Sequence, residues 1–351
     1  MARNPKYMQV ANDLKEKLAG YSYEQKLPTE AELVRMYDVS RQTIRVCLDI
    51  LREENLIRSI QGSGSYYIGS HSRRDRTMRI GVITTYISDY IFPSILRGIE
   101  ETLTSNSYSL MLNATNNSVS TESQILRALN ESAIDGLIVE GTKTALPNPN
   151  SSFYHRLAEM NIPVVFINGY YSNLRHENII HVVTDDHRGG CIVTERLADN
   201  GHRSIGSMFK SDDIQGINRY SGYIDTLARR DIAINDSNVM WFTTESRETI
   251  ISASNPGLIK MINSCSAVVC YNDETAVRLA GILNSVPNTV KSVVSFDNCL
   301  RPDLRGADFF SIDHPKGDLG STAVRKLLSM INGNKEQSVA LDWRISGSSA
   351  R

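Results

Sequence analysis

Apolar residues recur at helical spacing through the first fifty positions, and the rhythm then changes. Val10, Leu14 and Leu18 share one face of a predicted helix over 7–19. Thr29 stands three residues ahead of Glu32, the spacing of a capping box, and opens a second helix carrying Leu33, Val34 and Met36. A tight turn over 37–40 leads to Ser40, which caps a third helix over 41–54. Its inward positions are Ile44, Cys47, Leu48 and Leu51. Its outward ones are Arg41, Gln42, Thr43 and Arg45. The stretch 56–68 then reads as a two-stranded ribbon with Gly62-Ser63-Gly64 at its tip.

Residues 69–77 are polar and basic and lack apolar periodicity, which marks a domain boundary. The expected division is a head over 1–69, a linker over 70–78 and a body over 79–346. In the body, short β-branched runs alternate with helical stretches. Strands are predicted at 79–84, 109–113, 136–140, 163–167, 179–184, 205–209, 239–243, 267–270, 291–296 and 309–312. Helices are predicted at 92–106, 121–131, 186–200, 214–229, 274–283 and 316–331. This alternation implies parallel sheets covered by helices. Some ten strands exceed one ordinary sheet, so the α/β body is expected as two doubly wound subdomains with a cleft between them. Ligands bind such sheets at the C-terminal ends of the strands.

Composition changes this picture little. Of 351 residues, 22% are charged and 41% hydrophobic, ordinary for a globular protein. No apolar run is long enough to cross a membrane, and the N-terminus lacks a secretory h-region. Five scattered cysteines fit reduced thiols in a cytoplasmic protein and complete no zinc site with nearby histidines. The net charge of −1 hides an asymmetry. Residues 1–76 hold 13 Lys and Arg against 10 Asp and Glu, and the rest hold 25 against 29. A mildly basic head on an acidic body hints at an anionic partner for the head.

Two short helices joined by a tight turn, with cations and amides at the start of the second, are what reading base edges requires. Arginine can grip guanine through two bonds, glutamine can do so with adenine, and hydroxyls reach phosphate. In the body, polar and aromatic residues collect after predicted strands: Asp89, Tyr90 and Phe92; Glu140 and Lys143; Asn168; Asn272 and Asp273; Asp297; His314. Arg219 lies on the helix after Ser211. Carboxylates and amides that bond hydroxyls, beside aromatic faces that stack on C–H surfaces, suit a sugar. Asp185-Asp186-His187 reads as a solvated loop and helix cap. Phosphate-binding, metalloprotease and serine-hydrolase motifs are missing, nothing reads as a pyridoxal site, and no cofactor or metal is expected.

The head resembles the GntR-type winged helix, on Leu27-Pro28-Thr29-Glu30, Val39-Ser40-Arg41-Gln42-Thr43-Ile44-Arg45 and Gln61-Gly62-Ser63-Gly64-Ser65-Tyr66. The resemblance implies DNA contacts by Lys6, Thr29, Arg41, Gln42, Thr43 and Arg45, with Gln61 and Gly62 at the wing tip. The body resembles the LacI-type regulators, which share the type I periplasmic-binding fold. Ile80-Gly81-Val82-Ile83, Arg97-Gly98-Ile99-Glu100, Asp186-His187-Arg188-Gly189-Gly190, Arg219-Tyr220-Ser221-Gly222-Tyr223 and Tyr271-Asn272-Asp273-Glu274 carry that likeness. The pairing, with the runs 84–95, 140–143, 210–216 and 313–316, is similar to arabinose-responsive repressors. That likeness implies a homodimer on double-stranded operator DNA. It also implies a sugar effector, L-arabinose, held by Asp89, Tyr90, Phe92, Glu140, Lys143, Asn168, Arg219, Asn272, Asp297 and His314. Asn168-Gly169 departs from the Asp-Arg common in sugar-binding relatives. The same architecture answering to another pentose, or a sugar-processing enzyme with a DNA-binding head, are the alternatives.

Overall fold

The computed structural model describes residues 5–18, 20–21, 25–54, 56–60, 63–67, 76–88, 90–131 and 134–345. The chain forms two compact units, Met1–Arg76 and Thr77–Arg351. Most of the expected linker, residues 70–75, lies outside the described residues. Thr77 and Met78 are tied to the body, since both backbone N–H groups donate to the Asp135 carboxylate, at 2.9 and 3.0 Å.

The first unit holds α1 (Lys6–Leu18), α2 (Glu30–Tyr37), α3 (Arg41–Glu53) and an antiparallel hairpin, β1 (Ile57–Ile60) and β2 (Gly64–Tyr67). Thr29 and Glu32 complete the capping box of α2. Asp38 ends that helix in the left-handed region (φ 47°), and Ser40 accepts from the Thr43 N–H at 3.1 Å to start α3. Val10, Leu14, Leu18, Leu33, Ile44, Cys47, Leu48 and Leu51 close over one core. Every one of these was legible from helical spacing.

The second unit runs β3 (Arg79–Thr84), α4 (Phe92–Thr104), β4 (Ser109–Ala114), α5 (Val119–Glu131), β5 (Gly136–Val139), α6 (Ser151–Glu159), β6 (Val164–Ile167), β7 (Ile179–Thr184) and α7 (Asp186–Asp199). It continues with β8 (Ile205–Lys210), α8 (Ile214–Arg229), β9 (Val239–Phe242), α9 (Arg247–Ile250), α10 (Pro256–Ser264), β10 (Ala267–Cys270) and α11 (Asp273–Leu283). Last come β11 (Ser292–Asp297), β12 (Asp308–Asp313), α12 (Lys316–Ile331) and β13 (Val339–Leu341). Two sheets result, in the orders β13-β7-β6-β5-β3-β4 and β12-β11-β10-β8-β9. Their pairings are parallel. Central strands such as β5, β6, β10 and β11 are buried along their whole length, which is why they read as unbroken apolar runs. β13 and the helices α6, α9 and α10 are additions to the sequence reading.

The chain passes between the two subdomains three times, at residues 184–186, 313–316 and 341–344. The crossings are stitched side by side. Asp185 N–H donates to Leu341 O at 3.0 Å, and Asp313 and Arg344 exchange backbone bonds at 2.8 and 3.0 Å. In each subdomain one helix pair packs backbone against backbone. A Cβ on Gly98 would lie 2.4 Å from Gly317 O, and one on Gly320 would lie 2.3 Å from Ile95 O. On the other side a Cβ on Gly190 would meet Arg219 O at 2.2 Å, and one on Gly222 would meet His187 O at 2.0 Å. Among the described residues no helix is long and apolar enough to cross a membrane.

Gly222→Ala should therefore cost about 1–3 kcal/mol of stability through overpacking. Gly281→Ala, also helical but with open space around it, should gain about 0.5–1 kcal/mol. Urea unfolding of both variants checks the pair.

Candidate functional site

Between the C-terminal ends of the two sheets lies a cavity of about 190 Å³. Tyr90 and Ile91 enter it from the loop before α4, Phe92 from the first position of α4, and Glu140 and Gly141 from the end of β5. Lys210, Asp213 and Arg219 come from the end of β8 and from α8. Tyr271, Asn272 and Asp297 come from the ends of β10 and β11. Six of the ten effector residues expected from the sequence, namely Tyr90, Phe92, Glu140, Arg219, Asn272 and Asp297, thus meet on one cavity.

Arg219 is the most constrained of them. It is 2% exposed, and its Nε donates to Asp186 Oδ1 at 2.8 Å and its Nη1 to Tyr271 O at 2.6 Å. The guanidinium carbon stands 4.4 Å from the ring centre of Phe296, 5.0 Å from Tyr271 and 5.1 Å from Trp343. Cation–π contact with three rings and a carboxylate partner keep the charge in a dry place. Asp186, expected to be solvated, is buried at this partnership, and burial pushes its carboxyl up against the opposing pull of Arg219. Asp185 does cap α7, accepting from Arg188 N–H at 2.8 Å.

Glu140 is held from both sides. Oε2 accepts from Thr85 N–H at 2.9 Å and from the Thr85 hydroxyl at 2.5 Å, and Oε1 accepts from Asn168 Nδ2 at 2.9 Å. Burial raises its pKa in spite of these donors. Asp297 sits in left-handed backbone (φ 93°). Its Oδ2 accepts from the Tyr90 hydroxyl at 2.5 Å, whereas the buried Oδ1 has no partner among the described residues. Burial pushes its pKa up to about 6, against the pull of Arg219 and the Tyr90 hydrogen bond. Relative to an ordinary carboxyl at 3.8, the folded state favours the proton. That contribution to stability is full below pH 3.8 and is lost as pH rises through about 6. At neutral pH the site keeps an ionised, half-satisfied carboxylate at a cost in stability.

Three expected contacts do not line the cavity. Asn168 stands behind Glu140 and supports it. Lys143 is drawn to the rim by an ion pair with Glu245. His314 is buried at the second chain crossing with its ring edge-on to Trp343, centroids 5.3 Å apart, and neither ring nitrogen has a partner among the described residues. Burial, with Arg219 and Lys316 nearby, holds His314 well below its ordinary pKa and so neutral. Asn272 lines the cavity but spends its side-chain oxygen capping α11, accepting from Thr275 N–H at 3.0 Å. Asp89 lies outside the described residues.

The sequence reading passed over Tyr86, Lys210, Asp213, Arg247 and Tyr271 as contacts, although all line the cavity. Burial works against the Lys210 charge, yet Asp213 at 2.5 Å and Asp212 at 3.4 Å hold its pKa above the ordinary value. Their signal was the same as for the others, polar residues just after a strand.

On the head, Arg41 and Arg45 project from the first turns of α3, with side chains 70% and 53% exposed. Both lean on Glu30, at 2.7 and 3.3 Å, which lines the two guanidiniums up side by side. Gln42 is exposed beside them. The Thr43 hydroxyl lies 2.8 Å from that of Ser40. Thr29 gives its hydroxyl to Glu32 at 2.9 Å, and Lys6 Nζ reaches Asp38 O at 3.5 Å. Gln61 and Gly62 lie outside the described residues.

Comparison with known proteins agrees with both halves. Residues 6–66 match the bacterial regulatory proteins of the gntR family, and residues 77–346 match the periplasmic binding proteins and sugar binding domain of the LacI family. The chain is 34% identical over 336 residues to the arabinose metabolism transcriptional repressor of Geobacillus stearothermophilus, covering 93% of this chain and 91% of that one. It is also 34% identical to the repressor of the same name from Halalkalibacterium halodurans, covering 89% and 84%. Among solved structures, the transcription regulator CcpA of Lactococcus lactis superposes with a TM-score of 0.64 at 22% identity, over 77% of this chain and 97% of that one. A winged helix-turn-helix joined to a two-subdomain binding body defines a ligand-responsive transcriptional regulator. The chain belongs to the family of arabinose metabolism transcriptional repressors, with a gntR-type head and a LacI-type sugar-binding body. It is a DNA-binding repressor, not an enzyme.

Arg219→Ala would strand Asp186 as an unpaired buried charge, so it should cost about 3–5 kcal/mol of stability besides any loss of ligand. Replacing both partners with leucine should recover most of that loss, read from the body's unfolding transition in urea.

Proposed function

We propose that this repressor acts in the cytoplasm as a dimer on operator DNA and that L-arabinose, bound in the cleft of the body, relieves its DNA binding. The observation that carries the ligand reading is the charge arrangement of the cavity. Each lining cation already faces a carboxylate: Lys210 faces Asp213 at 2.5 Å, Arg219 faces Asp186 at 2.8 Å and Arg247 faces Glu274 at 3.5 Å. Among the described residues that line the cavity, only Arg247 keeps a buried donor without a partner, its Nε, so a phosphorylated or acidic ligand would find a single donor of that kind and would meet Glu140 and Asp297. A neutral polyol instead finds carboxylates that accept from hydroxyls, paired cations that donate, and the rings of Tyr86, Phe92 and Tyr271 as apolar walls. The volume is small beside the roughly 300–1,000 Å³ of sites for drug-sized molecules, which favours a monosaccharide. The likeness to arabinose metabolism repressors supports L-arabinose as that monosaccharide.

DNA recognition falls to Arg41, Gln42, Thr43 and Arg45 at the start of α3, placed in a major groove, with Lys6 and Thr29 toward phosphates. A dimer would match a pseudo-palindromic operator, because two-fold protein symmetry meets two half-sites.

Titration calorimetry of the full chain should show saturable binding of L-arabinose and none of D-xylose or D-ribose at the same concentrations. The affinity should hold above pH 6 and weaken as pH falls through about 6, where Asp297 takes up its proton. No heat with any pentose would withdraw the ligand. Arg45→Ala should weaken binding to an operator duplex selected from random sequence by about 10-fold or more, with L-arabinose binding unchanged. Fluorescence anisotropy beside calorimetry separates the two.

A further inference from the structure

Tyr90 stands among the cleft residues, and its hydroxyl is already bonded within the protein. Its backbone is left-handed (φ 61°), an unusual state for an aromatic residue. From there the side chain reaches across to the opposite subdomain. The hydroxyl donates to Asp297 Oδ2 at 2.5 Å and accepts from Asp273 N–H at 3.1 Å, with Phe296 O 3.2 Å away. The socket is built by the far subdomain together with the crossing that leads into α12. Asp273 Oδ2 accepts from the N–H groups of Cys299 and Leu300 at 2.7 and 3.1 Å, which fixes the turn after Asp297. Lys316 Nζ donates to Asp297 O at 2.6 Å. Only a group that both donates and accepts at one atom fills this socket, and phenylalanine cannot. With Oδ2 so occupied, the remaining oxygen Oδ1 is left buried, without a partner among the described residues, on a residue that lines the cavity.

We propose that the Tyr90 hydroxyl is a positioning group that ties the two walls of the cleft together and presents the free oxygen of Asp297 to the ligand. The inference rests on the sugar-binding reading of the cleft. Tyr90 does not bond the sugar through its hydroxyl. It holds the carboxylate that does, and it holds the subdomains at the separation in which both walls reach the ligand at once.

The test is Tyr90→Phe in the full chain, which keeps the aromatic wall and removes one oxygen. L-arabinose should bind about 10–100-fold more weakly, the loss expected for a hydrogen bond to a charged group. The pH midpoint of binding should move above that of the parent, because Asp297 loses a donor while Arg219, Lys316 and Asp273 still face it. A side chain that merely fills space would leave that midpoint in place. In an Asp297→Asn background, Tyr90→Phe should add less than threefold. Hydrogen exchange on the sugar-free protein supplies a readout that needs no ligand: amides at 271–274 should lose protection in Tyr90→Phe while those of β5 and β6 keep theirs. Parent-like affinity, midpoint and exchange would overturn the proposal. If the parent itself binds no pentose, the ligand reading fails, and exchange at 271–274 alone decides whether Tyr90 ties the walls.

Discussion

Burying a guanidinium costs several kcal/mol unless its charge and its donors are met on the spot, and the body is organised around meeting that demand at Arg219. The carboxylate that pairs with it, Asp186, is the first residue of α7, directly after one chain crossing. One ring that covers it, Trp343, belongs to another crossing, and Trp343 in turn donates to Asp185 O at 3.1 Å and packs edge-on against His314 of the remaining one. Arg219 also lines the cavity. A single side chain thus touches the cavity and the places where the subdomains join. The close approach of α8 to α7, which Gly190 and Gly222 permit, sets Arg219 within reach of Asp186.

The cleft walls are joined on two sides. Tyr90 bridges one. On the other, Asn117 Nδ2 donates to the Thr244 hydroxyl at 2.6 Å, Ile214 N–H to the Thr144 hydroxyl at 3.0 Å and Ala145 N–H to Asp212 O at 3.1 Å, with the Lys143–Glu245 ion pair at the edge. The segment carrying these bridges is anchored from below by Glu122. That buried carboxylate accepts from Asn148 at 2.8 Å, Asn150 at 3.0 Å, Tyr154 at 2.5 Å and Tyr171 at 3.0 Å. A ligand that bonds both walls adds to the same set of cross-cleft contacts, so it favours the arrangement in which they coexist. Linkage makes the consequence reciprocal: whatever arrangement sugar favours and operator disfavours sets the two ligands against each other.

Much of this was legible in the sequence because it rests on local rules. The helices of the head follow from Val10, Leu14, Leu18 and the caps at Thr29 and Ser40, and ten of the body's strands follow from short apolar runs, which the parallel sheets bury whole at β5, β6, β10 and β11. β13 escaped because three residues at a sheet edge show no period. The cavity was half legible. Residues just after a strand converge in a doubly wound fold, which found Glu140, Asp297 and Tyr90. Distance in sequence hid which of them line the cavity. Asp186 and Arg219 stand 33 positions apart, and nothing local says that they pair. Nor does anything local say that Lys143 is taken by Glu245, that Asn168 backs Glu140, or that Tyr90 serves Asp297.

The central claim is that one cleft governs one DNA-binding head. The most direct measurement is the operator affinity of the full chain with and without saturating L-arabinose, paired with its arabinose affinity with and without saturating operator. Sugar should weaken operator binding, and operator should weaken sugar binding by the same factor. Operator affinity that is unmoved, or tightened, by bound sugar would contradict that claim.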